Sequence, residues 1–493
     1  MSEVRQPAAP TTADRLGRGR LRVWDAVGQS VGLLALVMAL AITTSQIAGF
    51  AGPAAPLAYL IAGLGSLCLA YVFIRFTRRM ASAGSIYTYV ARGLGSEAGF
   101  VGGWLYGGAF TVGVSFTLAI ASFYTQVFLS RVLRTDVTAD WFWTFCVGIV
   151  LLFLFAFFDI RTSTRTQLVV TAVGVVAVLV VVFAILGVGG AHGITGRPFS
   201  PGAAPGGFSG LFFAVVFGFT AFGGFESAAA LGEESVNPRR AIPRAILVSI
   251  LVAVVFLVLT TYAFSIGYGA DAQGAGRWAV DAAPLDTLAS HYTNSTLATV
   301  IDLLVAIDAF IASLAGLNLA SRVVFAMGRD RGLPRMLGRS HRRYQSPWVA
   351  ILLILLVTLL LGAIPGNLMD RLGGTHTPQP LPFVFFMAAT ATLGLLGAYL
   401  LASISGLVFF HRHREGGTAQ RVVFPLVAAL IVAAALFSSI HPVAPAPPLV
   451  PPLRYAPYVF AGWLLLGVVL VVVLRVANPA LVRKFGGIVA GAE

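Results

Sequence analysis

The sequence is poor in charged residues. Asp, Glu, Lys and Arg make up 11% of its 493 residues, whereas a soluble domain carries about 25%. Its residues are 58% hydrophobic, and they are gathered into long runs. This composition excludes an ordinary soluble protein. It predicts an all-α integral membrane protein, because a lipid-embedded chain must satisfy its backbone polar groups internally.

Groups that perform chemistry in enzymes are scarce inside the apolar runs. Cys68 and Cys146 fall within predicted spans, which argues against a disulfide framework and a Cys-ligated metal. All seven histidines lie in loops or at span ends, without triad or ligand spacing. We therefore expect no catalytic residue, no metal and no cofactor. Two other classes of function are considered: a membrane-embedded transferase-type enzyme, and a sensor that does not transport but has the same helical fold as a transporter. Neither tail is long enough for the signalling domain that a sensor would need.

Apolar stretches of about 20 residues predict twelve transmembrane spans. They form one domain over residues 23–480. Numbered in order, the spans are 24–48, 55–75, 98–129, 141–158, 167–189, 209–231, 242–267, 296–327, 347–364, 381–410, 422–440 and 456–475.

The formal net charge of +14 does not indicate nucleic-acid binding, because of where the charge lies. Counted from a cytoplasmic N-terminus, 27 of the 33 Lys and Arg residues are on the inner side, including the densest run, residues 322–343. This positive-inside pattern predicts a multi-pass protein of the cytoplasmic membrane with both termini in the cytoplasm. Residues 1–22 are expected to form a disordered tail and residues 481–493 a second tail. The six outer residues are Arg131, Arg134, Arg197, Arg277, Arg371 and Arg454.

Span 6 contains an interruption followed by an acid. Gly223 and Gly224 break the apolar run, and Glu226 follows them. A buried acid and a broken helix near the middle of a membrane indicate a discontinuous helix that lines a solute site. The alternative is that the glycines only allow close helix packing and that Glu226 accepts hydrogen bonds from a neighbouring helix.

Two long connections suggest an internal repeat. Residues 76–97 follow span 2 and residues 269–295 follow span 7, on opposite sides of the membrane. An inverted repeat of five spans predicts this arrangement. The first repeat would be 24–190 and the second 208–411, with two added spans in 421–476.

Four segments carry a family resemblance. FGFTAFGGFESAAALGEESVNPRRAIPRAI, residues 217–246, resembles the sixth span and following loop of the amino acid-polyamine-organocation (APC) permeases. AGFAGPAAPLAYL, SAGSIYTYVARGLG and NLASRVVFAMGRDRGLP resemble the family in the expected order, and the match covers about residues 22–480. The resemblance implies a five-plus-five inverted-repeat fold. It also implies a secondary active transporter that moves an amino acid or related organic cation or amine by alternating access.

The resemblance also implies a site for a small-molecule substrate in span 6. Glu226 would link this span to the gate or to the route of a coupling proton, and Phe219 or Phe222 would be an aromatic lid. Unwound carbonyls suit an ammonium group, and the N-terminal end of a half-helix suits a carboxylate. The implied substrate contacts are Ala221, Phe222, Gly223 and Gly224.

Span 1 departs from the family pattern. The family commonly breaks this span at a Gly-x-Gly whose backbone binds the substrate carboxylate, and the aligned residues 36–39 here read LVMA. We expect a discontinuous span 1 with substrate contacts at Leu36, Val37 and Met38. Because the glycines are missing, a substrate other than an ordinary α-amino acid stays open.

Coupling residues depart from the family as well. Some members carry a span 5 lysine that replaces a sodium ion; the aligned residue is Gly174, and the only lysine of this chain is Lys484. A sodium site would use paired hydroxyl groups on span 8, where the chain offers Ser313 and Asn318. The sequence does not indicate an oligomeric state.

Span 8 contains two acids on different faces. Asp302 and Asp308 are about 240° out of phase on a helix, so they cannot form one carboxylate pair. We expect Asp302 at the outer interface and Asp308 in the vestibule, with a role in gating or proton coupling.

Overall fold

The computed structural model confirms the all-α prediction for the part of the chain that it describes. Within that part no β-strand occurs, and one isolated bridge joins Leu21 to Ser235. Most of the predicted 1–22 tail, Arg371 and residues 488–493 lie outside the described residues. The structure describes residues 16, 19, 21–137, 141–158, 160–281, 283–363, 381–414, 416–440 and 451–487.

The helices follow the apolar runs of the sequence. They are α1 Val23–Leu34, α2 Leu36–Ala51, α3 Ala55–Arg79, α4 Ile86–Leu94, α5 Ser96–Leu133, α6 Trp141–Phe158, α7 Ile160–Val188, α8 Phe208–Thr220, α9 Pro238–Tyr268, α10 Ala272–Val280, α11 Pro284–Tyr292, α12 Ser295–Arg329, α13 Trp348–Ala363, α14 Leu381–Arg412, α15 Phe424–Ile440, α16 Ala456–Ala477 and α17 Pro479–Val482.

Nine of the described helical segments are long and apolar enough to cross a membrane. The first of them, Val23–Arg79, includes α1, α2 and α3, and the shorter apolar helices α8 and α13 are additional to the nine. The chain is therefore a multi-pass membrane protein. The count of twelve crossings and the inverted repeat stay predictions.

One face of α7 shows how these helices meet lipid. Val169, Val173, Val176, Val180 and Phe183 are exposed and recur every three or four residues. That spacing places them along one stripe of a helix. Such a stripe is suited to hydrocarbon, which an apolar side chain contacts without a desolvation cost.

The centre of the fold is α12, which packs against α5, α7, α1 and α2. Most of its residues are buried, including the polar residues Asp308, Ser313, Asn318 and Arg322. Buried polar groups require partners, because an unpaired one is costly in a low-dielectric interior. The partners of these four residues come from the surrounding helices and from the segment after span 6, and they define the region described below.

Both chain ends pack against the helices. Leu16 and Leu21 are buried, so ordered packing begins before the predicted boundary at residue 22. At the other end, the Gly486 N–H donates to the Tyr87 hydroxyl (2.8 Å) and to Asp330 Oδ2 (2.9 Å). Burial raises the pKa of the Asp330 carboxyl, although the hydrogen bond from Tyr87 opposes this shift. The predicted C-terminal tail therefore contributes an ordered contact up to Gly487, whose carbonyl accepts from Arg92.

Candidate functional site

Span 1 is interrupted at Ala35. Helix α1 ends at Leu34 and α2 begins at Leu36, while Ala35 has φ 46° and ψ 57°, in the left-handed region. This conformation costs a non-glycine residue about 1–2 kcal/mol. The interruption lies one residue before the predicted segment 36–39. Leu36, Val37 and Met38 form the first turn of α2.

The carboxylate of Asp308 accepts hydrogen bonds from the backbone N–H groups of this first turn. Its Oδ2 atom accepts hydrogen bonds from the Val37 N–H and the Met38 N–H, both at 3.0 Å. Its Oδ1 atom accepts from Thr171 Oγ1 at 3.3 Å. The first N–H groups of a helix have no partner within the helix, and the positive end of the helix dipole favours an anion. Asp308 therefore caps a helix that is far from it in sequence.

The predicted span 5 position lies beside the same turn. A Cβ atom on Gly174 would lie 2.9 Å from Val37 Cγ2. Gly174 therefore allows α7 to approach the first turn of α2 closely.

Span 6 loses its regular helix at the predicted glycines. Helix α8 ends at Thr220, and the next residues form tighter turns in which the Gly223 N–H donates to the Thr220 carbonyl at 3.0 Å. Gly224 has φ +106°, which a residue with a side chain rarely adopts. A short 3-10 helix, Ser227–Leu231, follows. Ala221, Phe222, Gly223 and Gly224 thus all lie in the interrupted segment.

The interrupted segment of span 6 contacts α1 close to the interruption of span 1. A Cβ atom placed on Gly224 would lie 2.8 Å from Cγ of Leu33. Just beyond, Ser227 Oγ donates to the Gln29 carbonyl and the Ala228 N–H donates to Ser30 Oγ, both at 3.1 Å. The interrupted segment of span 6 therefore packs against the last turns of α1, just before the interruption at Ala35.

The Glu226 side chain turns back toward the interrupted segment that precedes it. Its Oε2 atom accepts from the Gly224 N–H at 3.1 Å, and its Oε1 atom accepts from the Tyr106 hydroxyl at 2.8 Å. The Tyr399 hydroxyl also lies here, 3.4 Å from the Gly224 nitrogen. Glu226 is fully buried. It therefore accepts a hydrogen bond from a neighbouring helix and stabilises the break, while its role in gating or proton coupling stays a prediction.

The two candidate lid residues point to different places. Phe222 is fully buried and packs edge-on against Tyr59 of α3, with ring centroids 6.4 Å apart. Phe219 lines a small cavity that also includes Thr220, Gly223, Leu395 and Tyr399. Phe219 is therefore the member of this pair that could contact a solute.

A cluster of amides lies between α1, α7 and α12, and the sequence analysis identified only one of them. Gln29 Nε2 donates to the Ala315 carbonyl at 2.8 Å, while Asn318 Nδ2 and Gln167 Nε2 donate to Ser163 Oγ at 3.2 and 3.3 Å. The oxygen atoms of all three amides are buried without a hydrogen-bond partner in the structure. Oxygen atoms of this kind could bind a water molecule or a monovalent cation.

Ser313, which the sequence analysis considered with Asn318 for a sodium site, pairs with a hydroxyl group of another helix. Ser313 Oγ lies 2.8 Å from Thr117 Oγ1 of α5. Within the described ranges, no group of three or more His, Cys, Asp or Glu side chains could hold a metal.

Two ion pairs join the segment after span 6 to the end of α12. Arg322 forms a bidentate pair with Glu234, and Arg329 forms another with Glu233 at 2.8 and 2.9 Å. Arg322 is 1% exposed, and Glu234 offsets the cost of burying its positive charge. The basic run 322–343 was interpreted as a determinant of membrane topology, and its pairing with Glu233 and Glu234 was not predicted. The available signal was the Glu-Glu dipeptide just after span 6, together with an arginine inside span 8.

The N-terminal segment is attached to the same place. The Leu21 N–H donates to the Glu234 carbonyl at 3.1 Å, and the Val236 N–H donates to the Leu21 carbonyl at 2.9 Å. Asp25, in the first turn of α1, pairs with Arg165 of α7 at 3.0 Å. The start of α1 is thus bound to both span 6 and span 5.

These features define a class: a helical, multi-pass membrane protein with two interrupted helices, each stabilised by a buried acidic side chain. The amino acid permease family model matches residues 23–484. The chain belongs to this family, within the APC superfamily, as its motifs predicted.

Named relatives match most of the chain. The branched-chain amino acid permease BcaP of Lactococcus lactis subsp. cremoris is 26% identical over 86% of this chain and 90% of its own length. The protein of the same name from Bacillus subtilis is 25% identical over 81% and 83%. The vacuolar cationic amino acid transporter 2 of Arabidopsis thaliana is 28% identical over 72% of this chain and 54% of its own length.

The contact between Gly224 and Leu33 predicts the effect of a larger side chain. Gly224→Leu should abolish transport, because the substitution combines an unfavourable φ with a clash against α1. Membrane insertion and expression should be largely retained. The measurement is uptake by proteoliposomes at matched protein content.

Gly462→Leu is the matched control, since a Cβ atom there would meet nothing within 4 Å. Near-normal uptake by Gly224→Leu would assign the glycine pair to helix packing alone.

The buried ion pair predicts a large asymmetry in stability. Glu234→Ala leaves the Arg322 guanidinium buried without its partner, which should cost about 3–5 kcal/mol. The double variant Arg322→Ala/Glu234→Ala should cost less than the sum of the two single changes. Thermal unfolding of the purified protein measures both effects.

The control for the single and double variants of Arg322 and Glu234 is the exposed ion pair of Glu97 and Arg475. Its removal should change stability by about 0–1 kcal/mol. Equal losses for Glu97→Ala and Glu234→Ala would contradict a structural role for the buried pair.

Proposed function

We propose that this chain is a secondary active transporter that moves an amino acid or a related organic amine across the cytoplasmic membrane by alternating access. The observation that carries this proposal is the contact between the two interrupted spans, in which Gly224 of span 6 lies against Leu33, two residues before the interruption at Ala35. Interrupted helices inside a membrane expose backbone donors and acceptors to a solute, and they occur at transporter sites. The names of the relatives support amino acids as the substrate class.

In this proposal the solute lies beside the interrupted segment of span 6. Phe219 acts as the aromatic lid because it lines the cavity next to Gly223. Ala221, Phe222, Gly223 and Gly224 supply backbone groups. Glu226 and Asp308 couple the solute site to gating, since each stabilises one of the two interruptions.

The inner side of the transporter is held closed by the ion pairs of Glu233 and Glu234 with α12. The sequence supports this orientation, because its positive-inside pattern places both termini in the cytoplasm. The repeats 24–190 and 208–411 would move against each other, with spans 11 and 12 as additions. An enzymatic function has no comparable support, since the relatives carry the names of permeases and transporters.

Reconstitution tests the proposal. The purified protein in liposomes should take up one or more members of a panel of labelled amino acids and amines, and a proton or sodium gradient should alter the rate if transport is coupled. Liposomes without protein and liposomes with Gly224→Leu are the controls. A blank across the panel for a well-folded sample would contradict the proposal.

The position of Glu226 predicts a change in pH dependence. If a proton on Glu226 takes part in gating, Glu226→Gln should flatten the pH profile of net uptake, because the amide cannot lose a proton. Equilibrium binding of substrate should change less. Uptake and binding, each measured between about pH 5 and pH 8, separate the two effects.

Glu97→Gln, at the exposed start of α5, is the control and should keep the pH profile. An unchanged profile in Glu226→Gln would remove this residue from coupling. It would favour uniport or exchange over proton symport.

A further inference from the structure

The small cavity beside the interrupted segment of span 6 has a second wall, formed by α14. Phe219, Thr220 and Gly223 line the cavity from span 6. The residues of α14 that line it recur at helical spacing, so they lie on one face of that helix. They are Thr392, Leu395, Leu396 and Tyr399, and we call them the α14 face.

The lining of this cavity contains no charged side chain. Its polar groups are hydroxyls, and the Thr220 hydroxyl already donates to the Phe217 carbonyl at 2.7 Å. Glu226 does not line the cavity, and its two carboxyl oxygens accept hydrogen bonds from Gly224 and Tyr106. A charged group inside the cavity would therefore lose its hydration without gaining an ion-pair partner, which is costly.

Leu395 limits the space next to the interruption. A Cβ atom on Gly223 would lie 3.1 Å from Cδ2 of Leu395, so the leucine side chain packs directly against the glycine. Leu395 is half-buried, whereas its neighbour Leu396 is 2% exposed. A leucine side chain can change between staggered rotamers. An aliphatic solute that displaces it replaces one apolar contact with another, while a polar solute does not.

We propose that the α14 face binds the side chain of the transported amino acid and selects an uncharged aliphatic one, with Leu395 setting its size limit. This inference rests on the transport function proposed above and adds the class of side chain. The polar end of the solute keeps the backbone groups of residues 221–224 as its contacts. Leu395 and Thr392 are thereby specificity-determining residues.

Matched solutes test the proposal on the wild-type protein. Norleucine and lysine have similar chains, but only lysine ends in an ammonium group. Leucine and asparagine have nearly the same shape, but only asparagine has a polar side chain. Norleucine should bind more tightly than lysine by about 100-fold, and leucine more tightly than asparagine by about ten-fold, because the polar members lose hydration without a partner. Competition against uptake of labelled leucine in proteoliposomes and thermal stabilisation of the purified protein measure both preferences.

Leu395→Ala tests the size limit. The change removes the side chain that packs against Gly223, so phenylalanine should gain about ten-fold in affinity relative to leucine. Leu400→Ala is the matched control, because Leu400 is a half-buried leucine of the same helix that does not line the cavity. The control should keep the wild-type ratio.

Thr392→Asp tests the selection against charge. A carboxylate on the α14 face would supply the missing partner, so lysine should gain about ten-fold or more relative to norleucine. Thr392→Asn is the matched control, because asparagine has nearly the same shape as aspartate and no charge. It should keep the wild-type preference for norleucine over lysine.

The outcomes separate this inference from the transport function. Uptake of lysine and asparagine by the wild type, equal to that of norleucine and leucine, would overturn the inference and leave transport intact. Unchanged ratios in both Leu395→Ala and Thr392→Asp would also overturn it. Absence of uptake for all four solutes and for the wider panel would overturn the transport function itself, and the inference with it.

Discussion

A helix that breaks inside a membrane must find acceptors for the N–H groups that it frees, since no water is available and each unsatisfied group costs several kcal/mol. Here two carboxylates supply them. Asp308 accepts from the start of α2, and Glu226 accepts from Gly224. Both acids are fully buried, and the second carboxyl oxygen of each accepts a hydrogen bond from a side-chain hydroxyl, of Thr171 for Asp308 and of Tyr106 for Glu226. The interruptions, the packing around them and the chemistry open to a solute all depend on these contacts.

Helix α12 organises the interior because its polar residues face the two interrupted spans. Asp308 and Arg322 are separated by about four helical turns and lie on similar sides of the helix. The first caps α2, and the second holds Glu234 after span 6. A buried ion pair is weak evidence for stability, but it fixes which groups lie together. One straight helix thus sets the position of two broken ones.

The sequence predicts what composition and local residue type determine. The apolar runs predicted the membrane class and the positions of the helices, and Gly223 with Gly224 predicted the break in span 6, because glycine adopts the positive φ found there. The break in span 1 was predicted at residues 36–39 from the family resemblance and lies one residue earlier, at Ala35; this exact position was not predicted, since alanine favours helix and the acid that caps the next turn is distant in the chain. Distance in sequence also hid the partner of Arg322. The choice between Phe219 and Phe222 was open because helical periodicity does not extend through an unwound segment.

The short bridge between Leu21 and residues 234–236 has a mechanical consequence. The start of α1 is joined to the segment that follows span 6 through Leu21, and near its end Leu33 lies against Gly224, two residues before the interruption at Ala35. Two segments that are joined near both of their ends move together. Displacement of α1 would therefore carry the segment after span 6 with it and would disturb the contact between Arg322 and Glu234.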